Sequence, residues 1–227
     1  MAEKSWKTYY RERLGTAEEV LKTVLRDGNR IYLGSACGEP QHLARALVSL
    51  LPAYRDLELV QNLSLGSLPE DWSQLHEHCR LKTFFLGNRT RRAVNSGFGD
   101  YVPMYFSSIP GLLRDEVSWS LDLCLIQVSP PDEHGFCSLG IAVDINKVAA
   151  EMAKIVIAQV NPQMPRTLGD SFIHVNRLDY FVEHEEPLIE VFFRERSAVA
   201  ERIARYVSAL IEDGSTVQVG IGRIANS

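Results

Sequence analysis

The chain has 227 residues, 45% of them hydrophobic and 23% charged, with a formal net charge of −5. That size suits one large globular domain or one and a half ordinary ones, with a substantial core. An acidic balance without a long basic run argues against nucleic acid as a partner, and no apolar run is long enough to make a membrane-spanning helix.

Residues 1–7 lack the apolar core of a signal peptide. Glu3 and Glu12 argue against a transit peptide, so a cytoplasmic location is expected. Cys37, Cys79, Cys124 and Cys137 show no C-x-x-C spacing, which points to reduced thiols and no zinc site.

In chain order, the first helix signal covers residues 16–26. Thr16 and Glu19 make a capping box. Val20, Leu21, Val24 and Leu25 make the apolar stripe, and Gly28 lies past the end. A strand follows over 30–34, then a glycine loop, Gly34-Ser35-Ala36-Cys37-Gly38-Glu39-Pro40, entering a helix over 39–50. Small residues there let a ligand approach the backbone, and the helix start offers free N–H groups. The loop is neither a dinucleotide fingerprint nor a P-loop, and a plain tight turn is the competing reading. Strands are expected over 57–61, 82–86, 121–128 and 154–160, with a helix over 88–96. His76, Glu77 and His78 read as a solvated helix surface; His174 and His184 receive no role.

Two further segments could carry chemistry. Tyr101, Val102, Pro103, Met104, Tyr105 and Phe106 form an aromatic, proline-broken stretch that suits either an acyl pocket or ordinary core. The loop 129–140 holds Pro130, Pro131, Asp132, Glu133, His134 and Gly135 after an apolar strand. An acid–base pair or substrate positioning are the functional readings there. A metal site is disfavoured because adjacent side chains seldom converge on one ion, and Cys137 has no evident partner base.

A helix is expected over 197–212, followed by a strand over 215–222. Leu25-Arg26-Asp27-Gly28, two polar residues, a strand and Gly34 recur 186 positions later as Ile211-Glu212-Asp213-Gly214 through Gly220. In-register recurrence of helix end, stop, strand and glycine suggests duplicated domains, against the plainer reading of two ordinary junctions. The expected organisation is a first domain over 1–195, a connecting helix over 196–212, and the opening strand and glycine loop of a second domain over 213–227. The alternation of strands and helices predicts an α/β fold with a mainly parallel sheet flanked by helices.

The loop 129–140, the Tyr101-Val102-Pro103 segment, the stretch Val182-Glu183-His184-Glu185-Glu186-Pro187-Leu188 and the ending Gly214 to Gly222 together resemble the acetyl-CoA hydrolase/transferase family. The resemblance covers nearly all of the chain. It implies a CoA-transferase-type fold shared with NagB- and RpiA-like proteins, in two related domains with the active site between them. It also implies that a glutamate of the C-terminal domain attacks the acyl-CoA and carries CoA as a glutamyl thioester to an incoming carboxylate. No permanently bound cofactor is implied; coenzyme A or acyl-CoA is a substrate, with a carboxylate acceptor of the acetate or 4-hydroxybutyrate type. Gln218, Gly220 and Gly222 match the family's Gln-x-Gly-x-Gly element. Ser35, Ala36, Met104, Pro131, Asp132, Glu133, His134 and Gly135 are expected on the opposite wall. The nucleophile is expected beyond residue 227, so this chain alone is expected to be inactive and no catalytic residue is assigned within it. A homo-oligomer is expected. The alternatives are a non-catalytic CoA-binding or assembly domain that needs a partner chain, an acyl-CoA hydrolase, and a sugar-phosphate isomerase, which the absence of a basic residue in the loop 34–40 disfavours.

Overall fold

A computed structural model describes residues 5–191, 197–220 and 224. Contacts divide the chain into two units, Met1–Ile189 and Glu190–Ser227.

Among its described residues the first unit holds nine strands in chain order: β1 (Arg30–Leu33), β2 (Leu57–Gln61), β3 (Cys79–Thr83), β4 (Gly99–Tyr101), β5 (Leu121–Val128), β6 (Phe136–Ser138), β7 (Ala153–Val160), β8 (Phe172–His174) and β9 (Tyr180–Glu183). Seven of them form one sheet in the order β4-β3-β2-β1-β5-β7-β9, and every neighbouring pair is parallel. β6 and β8 pair antiparallel as a separate ribbon. The fold is the expected α/β class, with a main sheet that is wholly parallel.

Helices cover both faces, so the central strands are apolar almost throughout. On one face Leu33, Leu59, Leu123 and Ile157 pack against α2 (Ala17–Val24) and α3 (Gln41–Leu50) through Leu21, Val24, Leu43 and Leu47. On the other, Tyr32, Cys124, Ile126 and Ala158 pack with residues of α1 (Trp6–Glu12), α5 (Ile109–Leu113) and α7 (Asn146–Met152). Each fully buried leucine or isoleucine contributes about 1.5–3 kcal/mol relative to exposure. The remaining helices of this unit are α4 (Asn88–Asn95) and α6 (Glu116–Trp119). The capping box of α2 forms as the sequence predicts: the Glu19 N–H donates to Thr16 Oγ1 at 3.3 Å, and the Thr16 N–H to Glu19 Oε2 at 3.2 Å.

Three local expectations are corrected. The third strand lies at Cys79–Thr83 rather than 82–86. Its inward residues are Cys79, Leu81 and Thr83, whereas Arg80 pairs with Asp100 and Lys82 with Glu58 across the sheet. The apolar run Phe84-Phe85-Leu86 lies past the strand, where the backbone turns back onto Gln61 and Asn62. His76, Glu77 and His78 form a turn, not a helix, and the His78 ring bonds the Tyr54 carbonyl at 2.9 Å.

In the second unit, α8 (Ala198–Ser208) begins at an N-cap where Ser197 Oγ accepts from the Ala200 N–H at 3.1 Å. The third correction falls after it. Residues 215–220 are exposed and form no strand. An extended segment becomes a strand only through ladder hydrogen bonds to a neighbour, and none of the described residues pairs with it. Among the described residues no helix is long and apolar enough to cross a membrane.

Candidate active site

From β1 the chain winds outward through β2, β3 and β4, then crosses to the other side of β1 to place β5, β7 and β9. The loops leaving β1 and β5 therefore diverge at a topological switch point, where open α/β sheets hold their ligands. These loops are 34–40 and 129–135, the two that the sequence singled out.

The β1 loop is built by buried contacts. The Gly34 N–H donates to the Leu125 carbonyl at 2.8 Å and the Ala36 N–H to the Leu63 carbonyl at 2.7 Å. Ser35 is buried, and its hydroxyl donates to Asp144 Oδ2 at 2.6 Å. Ala36 has φ +55°, a left-handed conformation uncommon for a residue with a Cβ. A Cβ on Gly38 would lie 2.2 Å from that of Ala142, so only glycine fits that approach.

The start of α3 is not open to a ligand in the way the sequence suggests. Gln159 Oε1 accepts from the His42 and Leu43 N–H groups at 3.1 and 3.2 Å, and Glu186 Oε1 accepts from His42 at 2.9 Å. Pro40 provides no side-chain cap, so side chains from other elements satisfy these donors. They belong to a polar layer beneath the carboxyl edge. The Gln159 amide donates to Gln127 Oε1 at 3.2 Å and to Glu186 Oε1 at 2.8 Å. The Asn161 amide donates to Gln127 Oε1 at 2.7 Å, and the Gln127 amide to the Glu39 carbonyl at 3.1 Å. The Glu39 carboxylate is fully buried and accepts from Ser64 Oγ and the Leu65 and Gly66 N–H groups at 2.9, 3.2 and 3.3 Å. Burial pushes its pKa up, against the opposing effect of these donors. Gln61 Oε1, at the carboxyl end of β2, is buried with no partner among the described residues.

The histidines His42 and His184 stack with ring centroids 3.8 Å apart. Burial lowers the His42 pKa, helped by His184 and Arg45 and opposed by Glu186. Burial tends to raise the Glu186 pKa, but Arg45, Gln159 and the His42 N–H outweigh it and hold the carboxyl below its ordinary range.

The β5 loop organises itself. Asp132 Oδ1 accepts from the His134 and Phe136 N–H groups at 2.9 and 2.8 Å, and Asp132 Oδ2 takes a charge-assisted bond from Arg166. Burial tends to raise the Asp132 pKa, but the two N–H groups and Arg166 hold it below the usual carboxylate range. Such a carboxylate is a turn staple, poorly suited to general acid–base work at neutral pH. Glu133 and His134 are exposed, with side chains 3.5 Å apart. Gly135 has φ +86°, and a Cβ there would lie 2.9 Å from both Trp6 and His174. Burial raises the Cys137 thiol to about 12, which leaves almost no thiolate at neutral pH.

Beside this loop, Trp6, Tyr10, Pro130, Pro131, Val160 and His184 help line a cavity of about 610 Å³ at the carboxyl ends of β5, β7 and β9. The Tyr10 hydroxyl donates to Glu183 Oε1 at 2.8 Å; burial and that carboxylate keep the phenol protonated. Pro131 thus reaches the cavity, whereas Ser35 and Ala36, in the loop after β1, do not line it. Nor does Met104, which follows the edge strand β4 and packs, half-buried, on the core. Gln218 and Gly220 are exposed in the second unit, and Gly222 lies outside the described residues. Among the described residues no group of three or more His, Cys, Asp or Glu side chains is arranged to hold a metal ion.

Sequence reasoning missed the layer of Glu39, Gln127, Gln159 and Asn161. Its signal was a glutamine one residue before the end of each of two apolar strands, Leu121–Val128 and Ala153–Val160. A polar side chain in such a run needs partners, and those partners mark the site.

Comparison with known proteins identifies the family and agrees with the fold. The chain is 42% identical over 222 residues to the 4-hydroxybutyrate coenzyme A transferase of Clostridium kluyveri, covering 98% of this chain and 51% of that protein. It is 35% identical over 228 residues to the succinyl-CoA:cyclohexane-1-carboxylate CoA transferase of Geobacter metallireducens, again over 51% of the relative. The chain thus spans about half the length of these curated relatives. Among solved structures, RipA from Yersinia pestis superposes with a TM-score of 0.87 at 28% identity, over 98% of this chain and 54% of that one. The 4-hydroxybutyrate CoA-transferase of Porphyromonas gingivalis gives a TM-score of 0.81 at 30% identity, over 97% and 51%. The acetyl-CoA hydrolase/transferase N-terminal domain matches residues 1–192, and the chain belongs to that family.

Proposed function

We propose that this chain is the N-terminal part of a CoA-transferase that moves CoA between an acyl-CoA and a carboxylate, and that it supplies one wall of the active site. The observation that carries the reading is the match of nearly the whole chain to half of several CoA transferases, on a sheet whose β5 loop lines a cavity. Those relatives are named as transferases, which favours transfer over hydrolysis.

In the proposed reaction a glutamate outside residues 1–227 attacks the acyl-CoA carbonyl, forming a mixed anhydride and releasing CoA thiolate. The thiolate attacks the glutamyl carbonyl of the anhydride, giving a glutamyl-CoA thioester and the first free carboxylate. The acceptor carboxylate then attacks that thioester, and the released thiolate takes the new acyl group and restores the glutamate. On this reading Ser35, Ala36 and residues 131–135 belong to the first-domain wall, the expected place of Met104 there is given up because it packs on the core, and Gln218, Gly220 and Gly222, at the start of a second α/β domain over 213–227, bind the same substrate. A cytoplasmic location and a homo-oligomer complete the proposal.

The test compares residues 1–227 with the same segment joined to the second half of the Clostridium kluyveri relative. Each receives acetyl-CoA and 4-hydroxybutyrate, and acyl transfer is followed by chromatography. Transfer by the joined chain alone supports the reading. Turnover by the isolated segment at a comparable rate overturns the placement of the nucleophile.

A further inference from the structure

Away from the switch point, α3, α4 and the segment after β2 line a second, open cavity of about 390 Å³. Its polar lining is Arg45, Ser49, Ser67 and Arg89, and among the described residues no carboxylate lines it. That lining is unusual in a chain of net charge −5.

The donors are only partly used. Arg89 gives one nitrogen to the Leu68 carbonyl at 3.0 Å, and Arg45 gives one to Glu186 at 2.6 Å. A guanidinium carries five N–H donors in a planar fork, so both retain capacity. Glu186 neutralises part of the Arg45 charge and does not line the cavity. Ser49 donates to the Ala46 carbonyl at 2.7 Å and so has no proton to offer. The Gly66 N–H is taken by Glu39. Ser67 differs: its Oγ is buried and finds no partner among the described residues. A buried hydroxyl without a partner is costly, and Ser67 is a lining residue of the cavity beside two arginines, so a turn of its side chain toward the cavity would let the hydroxyl donate to an anion there.

We propose that this cavity binds a phosphate-type dianion, held by Arg45, Arg89 and the Ser67 hydroxyl. Two forked cations and a hydroxyl match the several oxygens of a tetrahedral anion better than the single plane of a carboxylate. Free phosphate and the phosphate monoester of a nucleotide share this chemistry. The site stands without the proposed transferase reading; only the coenzyme A arm below draws on it.

Residues 1–227 are titrated with inorganic phosphate at constant ionic strength, following thermal stability and binding heat. Saturable stabilisation is expected, because a ligand that binds the folded state raises its melting temperature. Arg89→Gln should weaken phosphate binding roughly tenfold or more, as expected for loss of a charged hydrogen bond. Ser67→Ala should weaken it severalfold while leaving the fold intact, which keeps the test usable if Arg89→Gln unfolds. Arg92→Gln, one turn along α4 and paired with Glu70, should change it by less than about twofold because it is exposed. No saturable response in the unaltered chain, or equal weakening by Arg92→Gln, overturns the proposal. Competition by coenzyme A but not by dephospho-coenzyme A identifies the 3′-phosphate as the source. Competition by neither, with phosphate bound, identifies free phosphate.

Discussion

Two acidic residues of the switch-point loops, Glu39 and Glu133, occupy opposite environments. Glu133 stands in the conspicuous Pro-Pro-Asp-Glu-His-Gly loop, and its side chain is largely in solvent, close to His134. Glu39 sits in a bland loop of small residues and is fully buried, joining the loop after β1 to the loop after β2 through three donors. Charged residues crowded in sequence need not form a machine. Here the organising contacts lie underneath, where low dielectric strengthens each bond and penalises each missing one.

This contrast can be broken experimentally, starting with the largest effect. Glu39→Ala should cost about 2–5 kcal/mol, since it strands Ser64 Oγ and two backbone N–H groups in the interior. Urea unfolding measures it, and a change under 0.5 kcal/mol would remove Glu39 from its organising role. Gln159→Leu should cost about 1–3 kcal/mol by uncapping the first turn of α3 and leaving Gln127 and Glu186 short of a donor. Protection of the Leu43 amide in hydrogen exchange should fall with it.

Asp132→Asn should produce a smaller, pH-dependent loss. The folded-state pKa of Asp132 is depressed, so its contribution is present above the unfolded value near 3.9 and lost as pH falls through the folded value. The melting-temperature gap between the native chain and Asp132→Asn should therefore be full at pH 6 and close toward pH 3. A gap that widens on acidification contradicts the staple role. Glu133→Gln and His134→Gln should each alter stability by less than about 0.5 kcal/mol, as solvent-exposed substitutions usually do. A larger loss in thermal unfolding would show that the exposed pair supports the loop after all.

The fold was largely legible because its signals are local. The capping box at Thr16 and Glu19, the stripe of α2 and the apolar strands β5 and β7 follow from short-range periodicity. Boundaries slipped where local composition competed with pairing. Phe84-Phe85-Leu86 looks more strand-like than Cys79-Arg80-Leu81-Lys82-Thr83, yet register with β2 selected the latter. The site was legible only in outline: both switch-point loops stood out, but which side chains face a ligand and which staple the backbone did not.

The sequence alone determined the α/β alternation, the two glycine- and proline-marked loops and the family, because these depend on residue type and spacing along the chain. Tertiary structure decided that β5 crosses to the far side of β1, that Gln159 and Glu186 close the start of α3, and that Asp132 holds its own loop. Each of these is a contact between residues far apart in the chain or a choice among several available donors. Such contacts are fixed by how the sheet is ordered and what lies buried beside each polar group, and sequence spacing does not encode that.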